Sequence, residues 1–310
     1  MTRRPPLTHS ARDADESENR KACSVPEALR IAIISSGPDE FTTIHTACTD
    51  VGHLPVAYFY GRSPRPGTAN LPDAEQATAA ILNAVPPGMD LLLPGNLQGL
   101  AQALAGYRPD LLIVFGFGWK LPKSVLEIPR LGAINIHVSM LPKYRGPAPM
   151  LWAIRNGDPT GGVTIHWMDE GFDTGNIIAQ QDGIPLDDDI TWQRYCTHAM
   201  PVIHTLLMKS LSLVVNGYRG TPQDESASSY AGFMEDEFSI IDWSKSAQEI
   251  HNQVRTHRYM RSPDYPLAKV SGDWMRIRRT SLTPTSGLQV QCGDGPIWVV
   301  DFDAVHPPKH

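Results

Sequence analysis

The sequence predicts an α/β protein with a doubly wound, mostly parallel β-sheet, followed by a small β-rich domain. Two observations predict the sheet: short β-branched and aliphatic runs such as residues 30–36 recur along the chain, and helix-compatible stretches separate them. A third observation predicts the second domain. After a small, polar stretch at residues 221–232, strand-like runs follow each other closely with glycine turns between them.

The elements of the main domain alternate along the chain. Strands are predicted at residues 30–36, 54–60, 110–115, 132–137 and 162–168, and helices at 41–51, 74–85, 97–104 and 191–215. Pro201 is expected to kink the last of these helices. In the small domain, a helix is predicted at 246–257 and strands at 274–278, 288–292 and 297–302.

These elements divide the chain into four parts. Residues 1–29 are charged and poor in apolar side chains, so they are predicted to be a flexible tail rather than a signal peptide. Residues 30–220 form the main domain, residues 221–232 a linker, and residues 233–310 the small C-terminal domain.

Composition narrows the classes of function. The chain has 310 residues, 27 Lys+Arg against 33 Asp+Glu, and a net charge of −6, which counts against a large nucleic-acid surface. No apolar run approaches the roughly 18 residues of a membrane span, so no membrane partner is expected. The four cysteines are scattered without zinc-ligand spacing. We therefore expect no metal site and a cytoplasmic protein with reduced thiols.

Two glycine-rich stretches do not support nucleotide binding. Gly116 and Gly118 follow a predicted strand, but Leu121 stands where a dinucleotide motif has its third glycine, and no ribose-binding acid follows. Residues 95–99 lack the Lys-Ser/Thr pair of a phosphate-binding loop.

A polar pair at the end of one strand indicates chemistry. Asn135 and His137 are two residues apart, so their side chains share a face at the edge where α/β sheets bind ligands. An amide and an imidazole side by side can both stabilise a developing oxyanion. A glycine-bracketed loop with Asp169, Glu170 and Asp173 offers a carboxylate to orient the imidazole or to accept a proton. Taken singly, each feature is equally explained by a hydrogen-bonded strand end or a solvated turn.

Considered together, the spacing of these residues favours a functional site over a hydrogen-bonded strand end and a solvated turn. The residues that carry the pattern are Asn135, His137, Ser139, Met140, Leu141, Pro142, Tyr144, Arg145, Gly146, Asp169, Gly171, Asp173, Thr174 and Gly175. This pattern resembles the N10-formyltetrahydrofolate-dependent formyltransferase family, with its Asn-x-His-x-Ser-Leu-Leu-Pro motif, Tyr-Arg-Gly turn and later Asp-x-Gly-x-Asp-Thr-Gly. Met140 replaces a leucine of the motif, a volume-conserving change. Similarity extends from about residue 30 to residue 305, and the methionyl-tRNA and sugar formyltransferase branches are most similar.

The resemblance implies a Rossmann-like catalytic domain at residues 30–220, an OB-like domain at 233–310, and N10-formyltetrahydrofolate as co-substrate. It implies that Asn135 donates to the formyl oxygen, that His137 stabilises charge or shuttles a proton, and that Asp173 orients His137 and accepts the amine proton. Ser139 is expected to fix the loop rather than to attack. The residues implied in folate binding are Phe115, Gly116, Phe117, Gly118, Trp119, Leu121, Asp169, Glu170, Gly171 and Phe172.

The formyl acceptor stays open. We favour an amine or hydroxylamine of a small molecule, such as an amino-sugar nucleotide or an ornithine-type precursor. The tRNA-acting branch carries a basic, glycine-rich insertion where residues 61–71 offer only Arg62 and Arg65, and it continues where this chain ends soon after Val305. Methionyl-tRNA is the alternative acceptor, and a formyltetrahydrofolate hydrolase is an alternative of another class. An inactive folate-binding protein is disfavoured, because Asn135, His137 and Asp173 are all present.

A local basic cluster also stays open. Residues 251, 255 and 258 would share one face of the predicted helix, so the cluster could meet a phosphate or only solvent. The cluster consists of His251, Arg255, His257, Arg258 and Arg261. A homodimer is neither predicted nor excluded.

Overall fold

The computed structural model describes residues 28–71, 73–260 and 265–306. The predicted tail at residues 1–29, except for its last two residues, lies outside the described residues. The strands are β1 Arg30–Ser35, β2 Leu54–Phe59, β3 Asp90–Leu92, β4 Leu111–Phe115, β5 Ala133–His137, β6 Thr160–Trp167, β7 Ile177–Pro185, β8 Leu267–Val270, β9 Asp273–Ser281, β10 Leu288–Gln291 and β11 Pro296–Ala304. The α-helices are α1 Pro38–Asp50, α2 Ala74–Ala84, α3 Leu97–Tyr107, α4 Lys123–Leu126, α5 Pro149–Arg155, α6 Trp192–Val215 and α7 Ala247–Tyr259.

The first seven strands form one sheet in the order β3-β2-β1-β4-β5-β6-β7. Strands β1 to β5 pair in parallel, whereas β6 and β7 are antiparallel additions. The strand order changes direction between β1 and β4, and such a switch point opens a crevice at the carboxyl ends of the strands. The predicted fold class, a mostly parallel α/β sheet followed by a separate antiparallel sheet, is confirmed.

Burial on both faces explains why the central strands are continuous apolar runs. All five residues of β4 are buried, and so are five of the six in β1. Two hydrophobic clusters cover the two faces of the sheet. One includes Ile33 and Ile113 with residues of α1 and α6, and the other includes Leu112 with residues of α3 and α4. This double layer fixes the strand ends that carry the polar side chains.

Helix α6 is the long core helix of the main domain. Its buried residues Tyr195, Ile203, Leu207 and Leu211 lie on one stripe that packs against α1 and β7. The helix runs through Pro201. By length and composition α6 could cross a membrane, the one such helix among the described residues. Packing of its stripe inside the main domain accounts equally well for the apolar composition.

The sequence prediction missed five elements, one of which is the four-residue helix α4. Strand β3 has three residues, too few to give a pattern, and the short helix α5 begins with Pro149 at its first turn. Strand β7 carries a polar run at residues 180–182 on the edge of the sheet. Strand β8 has four residues, of which one is buried.

The last four strands form a separate antiparallel sheet in the order β10-β11-β9-β8. Helix α7 packs on this sheet through Ile250 and Val254, which contact a cluster that includes Ile277 and Ile297. The opposite side of α7 contacts α5 of the main domain. The domain boundaries and the OB-like character of residues 233–310 stay predictions.

Residues 221–233, here called the strap, connect the two sheets. Their composition is that of a flexible linker, yet the strap is hydrogen-bonded to the main domain. Thr221 bridges to Ile177 in β7, and Tyr230 bridges to Arg145. The strap therefore lies on the main domain beside the ends of the strands.

The basic residues of α7 close the junction between the two sheets. Arg255 is buried and donates to the carbonyl oxygens of Leu186 and Asp187. Arg258 donates to the carbonyl oxygen of Asp188 and pairs with Asp189 at 3.3 Å. These contacts, together with His251 near Asp188, are called the junction cluster. Neither sequence interpretation of these residues, phosphate contact or free solvation, describes them; Arg261 lies outside the described residues.

Candidate active site

A cavity of about 510 Å³ lies at the carboxyl ends of β4 and β5, where the strand order predicts a ligand site. Its volume is within the range of small-molecule sites. The cavity is lined by the three predicted catalytic residues, Asn135, His137 and Asp173, and by Phe115, Gly116, Phe117, Gly118, Trp119, Leu121, Asp169, Gly171 and Phe172. Glu170 is the exception among the predicted residues: its side chain is exposed and does not line the cavity.

The loop after β6 is built to aim Asp173 back toward β5. Asp169 caps the loop, since its Oδ1 accepts from the N–H of Gly171 at 3.0 Å and from the hydroxyl of Thr174 at 2.6 Å. At Gly175 the backbone passes so close to Trp167 that a Cβ would lie 1.8 Å from its carbonyl oxygen. Asp173 has a positive φ of 57°, a conformation that Asp adopts more readily than most residues.

Four polar side chains converge at this point. The Nδ2 of Asn135 donates to Oδ1 of Asp173 at 3.2 Å. The Oδ2 of Asp173 lies 3.6 Å from Nδ1 of His137 and accepts from the N–H of Gly146 at 2.8 Å. The Nε2 of His166 lies 3.5 Å from Oδ1 of Asp173. The predicted catalytic residues are therefore brought together, 36 to 38 residues apart in the chain but in contact through Asp173.

Hydrogen bonding defines the tautomer of His137. Its Nε2 lies 2.8 Å from the carbonyl oxygen of Tyr144, which can only accept, so Nε2 carries the proton. In the neutral ring the lone pair is then on Nδ1, which faces the carboxylate of Asp173. A proton that arrives at Nδ1 would be shared with that carboxylate.

The surroundings of Asp173 and His137 determine which of these two side chains is charged. Burial would raise the pKa of Asp173, but the hydrogen bond with His166, the nearby imidazoles and the Gly146 N–H outweigh it and lower the pKa to about 2. Burial lowers the pKa of His137 against the opposing pull of Asp173 and the Tyr144 carbonyl. At neutral pH the site therefore holds an ionised carboxylate beside a neutral imidazole.

Asn135 is oriented by its neighbours. Because a carboxylate only accepts, the contact with Asp173 places the amide nitrogen, rather than the oxygen, on that side. The same Nδ2, which carries two hydrogens, also lies 3.3 Å from Nε2 of His166. Distances of 3.2–3.3 Å are at the long end for such bonds. One of these hydrogens can be exchanged to an incoming oxyanion at low cost.

His166 is a site residue that the sequence analysis missed. It is opposite Asn135 in the antiparallel pairing of β5 and β6, and it is almost fully buried. Its Nδ1 lies 2.8 Å from the carbonyl oxygen of Trp167, which fixes the ring with Nε2 toward Asn135 and Asp173. In the sequence, His166 is a single histidine in an apolar strand. Only the register of β5 and β6 shows that it lies opposite Asn135.

The wall at residues 115–121 contains packed aromatic side chains and main-chain groups. Trp119 is buried, and its indole N–H donates to the carbonyl oxygen of Ser63 at 3.0 Å. Phe117 packs on Trp119 with ring centroids 5.0 Å apart. Lys120, which the sequence analysis did not single out, lines the cavity with its ammonium 4.8 Å from the ring centre of Phe172. Lys120 is thus a cationic group on the wall implied in folate binding.

The strap stabilises the loop that holds Asp173. The Nε2 of Gln223 donates to the carbonyl oxygens of Asp173 and Gly175, both at 2.8 Å. Its Oε1 accepts from the guanidinium of Arg145, which also makes a two-pronged pair with Glu225. A segment that looked like a passive linker is therefore connected to the carboxylate of the site.

Ser139 has the predicted structural role. Its hydroxyl donates to the carbonyl oxygen of Lys143 at 2.7 Å, and the side chain is buried. The hydroxyl therefore closes the loop that carries Tyr144, whose carbonyl oxygen orients His137.

Comparison with known proteins agrees with this geometry. The "Formyl transferase" family model matches residues 29–208. A methionyl-tRNA formyltransferase of Clostridium novyi is 42% identical over 249 residues, covering 73% of this chain and 78% of its own length. That of Pseudomonas paraeruginosa is 32% identical over 285 residues, covering 86% and 88%. The alignment with the Clostridioides difficile enzyme, 46% identical, spans about half of either chain, 48% of each.

Solved structures share the fold. The sugar 3N-formyl transferase WlaRD, crystallised with dTDP and 5-N-formyl-THF, has a TM-score of 0.62 at 17% identity, covering 91% of this chain and all of its own. HypX of Aquifex aeolicus in complex with tetrahydrofolic acid has a TM-score of 0.58 at 20% identity, covering 88% of this chain and 44% of its own.

The site and the comparisons lead to the same assignment. The polar cluster, the loop that aims Asp173 and the cavity wall lie largely within the segment that the family model matches. The comparisons confirm that the chain resembles the formyltransferase family, and the prediction of a folate-dependent formyltransferase rested on that resemblance. This chain belongs to the formyl transferase family.

Proposed function

We propose that this chain transfers the formyl group of N10-formyltetrahydrofolate to an amine. The observation that carries the proposal is the convergence of Asn135, His137 and Asp173 on one side of a cavity. An amide donor, an imidazole with a free lone pair and an ionised carboxylate are the groups that acyl transfer to an amine needs.

The folate is proposed to lie along the wall at residues 115–121. A pterin carries an edge of hydrogen-bond donors and acceptors, which suits main-chain groups outside regular structure, as at Gly116 to Trp119. Lys120 is placed to attract the carboxylates of the folate tail. The relatives support this choice, and so do two structures with the same fold, one in complex with tetrahydrofolic acid and one crystallised with 5-N-formyl-THF.

In the proposed reaction, the amine nitrogen attacks the formyl carbon and the carbonyl π electrons move to the formyl oxygen. Asn135 donates an N–H to that oxygen. The amine proton passes to Nδ1 of His137, and Asp173 stabilises the imidazolium that results. The bond from the formyl carbon to N10 then breaks, and N10 receives the proton. With a pKa of about 2, Asp173 is a poor final base and acts chiefly as the anion beside the ring.

Methionyl-tRNA is the acceptor that the comparisons support best. Relatives with that name are 32–42% identical over 73–86% of this chain. This reverses the order of the two acceptors predicted from the sequence, in which a small molecule came first.

A small-molecule amine is the second candidate, and the surface favours it. The net charge is −6, and residues 61–71 contribute only two arginines. The junction cluster further reduces the cationic surface, because Arg255 is buried and Arg258 faces Asp188 and Asp189. An amino-sugar nucleotide fits this candidate, since WlaRD, a sugar 3N-formyl transferase, has the same fold; an ornithine-type hydroxylamine is the other option.

One assay tests the reaction and separates the acceptors. The protein is incubated with N10-formyltetrahydrofolate and, in separate arms, charged initiator methionyl-tRNA, a dTDP-amino sugar, hydroxyornithine or no amine, and tetrahydrofolate release is followed. Release that requires one acceptor supports the proposal and identifies the acceptor class. Equal release without any amine would indicate a hydrolase, and no release in any arm would contradict the proposal. Turnover with tRNA should weaken steeply with salt.

The remaining parts of the proposal concern location and assembly. A cytoplasmic enzyme is consistent with a folate co-substrate. A homodimer and a substrate-binding role for residues 233–310 are proposals that light scattering and a deletion of that region would test.

A further inference from the structure

Two exposed aromatic side chains of the strap line the cavity. Tyr230 and Phe233 are 61% and 78% exposed, yet both belong to the wall of the cavity that contains Asp173. Large aromatic rings grouped at a cavity mouth commonly mark a surface that a ligand covers.

The backbone that carries these rings is hydrogen-bonded to the main domain. Tyr144 N–H donates to the Ser229 hydroxyl at 2.9 Å, and Arg145 N–H donates to the Ser229 carbonyl oxygen at 2.8 Å. Ala231 exchanges further backbone bonds with the same loop, and the indole of Trp152 donates to the Gly232 carbonyl oxygen at 2.7 Å. The backbone that carries the two rings is therefore preorganised, which lowers the entropic cost of using them for binding.

The ring of Tyr230 lies next to the reactive groups. A Cβ at Gly146 would lie 2.6 Å from a ring carbon of Tyr230, so the ring packs directly on that glycine. The N–H of Gly146 donates to Oδ2 of Asp173. A group bonded to an amine that approaches Asp173 and His137 would therefore contact this ring.

The strap side of the cavity differs from the wall at residues 115–121 in its hydrogen-bonding groups and charge. Its neighbours in the cavity are Pro147 and Pro149, which offer no side-chain hydrogen bond and no charge. Asp173, which accepts from the N–H of Gly146 beneath the Tyr230 ring, disfavours a phosphate at this point. A hydrogen-bonding heterocycle suits the wall at residues 115–121, and an uncharged, C–H-rich group suits the strap side.

We infer that Tyr230 and Phe233 bind the acceptor, by packing against an uncharged, C–H-rich group within a few bonds of the reacting amine. This inference rests on the proposed formyl transfer and adds which wall the acceptor uses. The thioether side chain of a methionyl ester and the ring face of an amino sugar both have the required chemistry.

The test compares steady-state constants of the full chain with Tyr230→Ala, Phe233→Ala and Tyr230→Phe, using methionyl-tRNA in one arm and a dTDP-amino sugar in the other. Each alanine variant should raise the acceptor KM about tenfold, while the KM for N10-formyltetrahydrofolate stays within about twofold. Tyr230→Phe should behave like the wild type, because the ring and not the hydroxyl makes the contact. Leu82→Ala removes a side chain that is also 61% exposed but lies on α2, outside the cavity, and should change neither KM.

The outcomes separate the inference from the proposed function. An unchanged acceptor KM in both alanine variants, or a rise confined to the folate KM, overturns the assignment of this wall to the acceptor while leaving formyl transfer in place. A wild-type chain that turns over neither acceptor contradicts the proposed function and the inference together. Whichever arm shows turnover identifies the source of the C–H-rich group.

Discussion

The cavity cluster, which consists of Asn135, His137, His166 and Asp173, and the junction cluster both place histidine beside aspartate, but in different settings. Near the cavity, His137 and His166 flank Asp173, which is 15% exposed and faces a space of about 510 Å³. At the junction, His251 is 3.3 Å from Asp188, but the surrounding arginines close the contact between α7 and the main domain. Both clusters hold buried histidines whose pKa is lowered by burial.

The two clusters differ in whether a substrate can reach their polar groups. In the junction cluster, Arg255 and Arg258 donate to carbonyl oxygens of residues 186–188, so their charges serve to attach two sheets. In the cavity cluster, Nδ1 of His137 faces the carboxylate at 3.6 Å and the cavity beside it. Charge density alone does not mark a site; a lone pair or N–H that a substrate can reach does.

The largest expected effect is on turnover. Asp173→Asn, which keeps the shape and the positive φ, and His137→Ala should each lower kcat by about 10³-fold or more, and Asn135→Ala by about 10²–10³-fold. Circular dichroism and 5-formyltetrahydrofolate binding should remain close to wild type. Wild-type rates in these variants would remove the catalytic assignments.

A large effect on stability is expected at the junction. Arg255→Met loses the hydrogen bonds to the Leu186 and Asp187 carbonyl oxygens and should lower the free energy of unfolding by about 2 kcal/mol. Urea denaturation measures this loss, and kcat at 25 °C should stay within about twofold. Lys209→Met, at an exposed position of α6, is the control and should shift stability by less than about 0.5 kcal/mol. A loss of kcat in Arg255→Met without a loss of stability would contradict the distinction between the clusters.

A smaller effect is expected from the strap. Gln223→Ala removes both hydrogen bonds to the loop of Asp173, so the carboxylate is less well positioned and kcat should fall about tenfold. Its KM values should change less than kcat, and its urea midpoint should stay near wild type. Gln181→Ala, an exposed glutamine of β7, should leave kcat unchanged. Equal rates for the two variants would mean that the strap does not position Asp173.

The smallest expected effect is a displacement of the pH profile. Transfer requires His137 neutral and Asp173 ionised, and both pKa values are lowered. As pH falls, activity is lost when His137 gains a proton. The acid limb of kcat/KM for N10-formyltetrahydrofolate, measured at saturating acceptor so that protonation of the free amine does not contribute, should therefore have its midpoint below the ordinary histidine value of about 6.5. The junction variant Arg255→Met should show the same midpoint. A midpoint at or above that value would contradict a neutral His137.

Much of the fold was predictable because buried parallel strands carry an unambiguous signal. Strands β1, β4 and β5 are short apolar runs, and their predicted bounds differ from the observed ones by one residue. Strands β3 and β7 were not predicted, since one has three residues and the other an exposed polar segment.

The convergence of Asn135, His137 and Asp173 was implied by the resemblance to a family motif, but the rest of the site was not. His166 enters through the antiparallel register of β5 and β6, which local sequence does not determine. Gln223 and Tyr230 lie in a segment with the composition of a flexible linker. Only its long-range backbone bonds, with Ile177 and with residues 142–148, place Gln223 beside the loop of Asp173 and Tyr230 at the cavity. The basic residues of α7 are the opposite case. Their position on one face of the helix was predicted correctly, but the residues that they contact could not be predicted.

The most direct test of the central claim follows the formyl group itself. A single turnover with N10-[¹³C]formyltetrahydrofolate and the acceptor selected by the panel is monitored by ¹³C NMR for the wild type and Asp173→Asn. The account predicts that the label appears as a formamide on the acceptor with the wild type and remains on the folate with the variant, although both bind the folate. Label released as formate by the wild type, or transferred equally by Asp173→Asn, would contradict it.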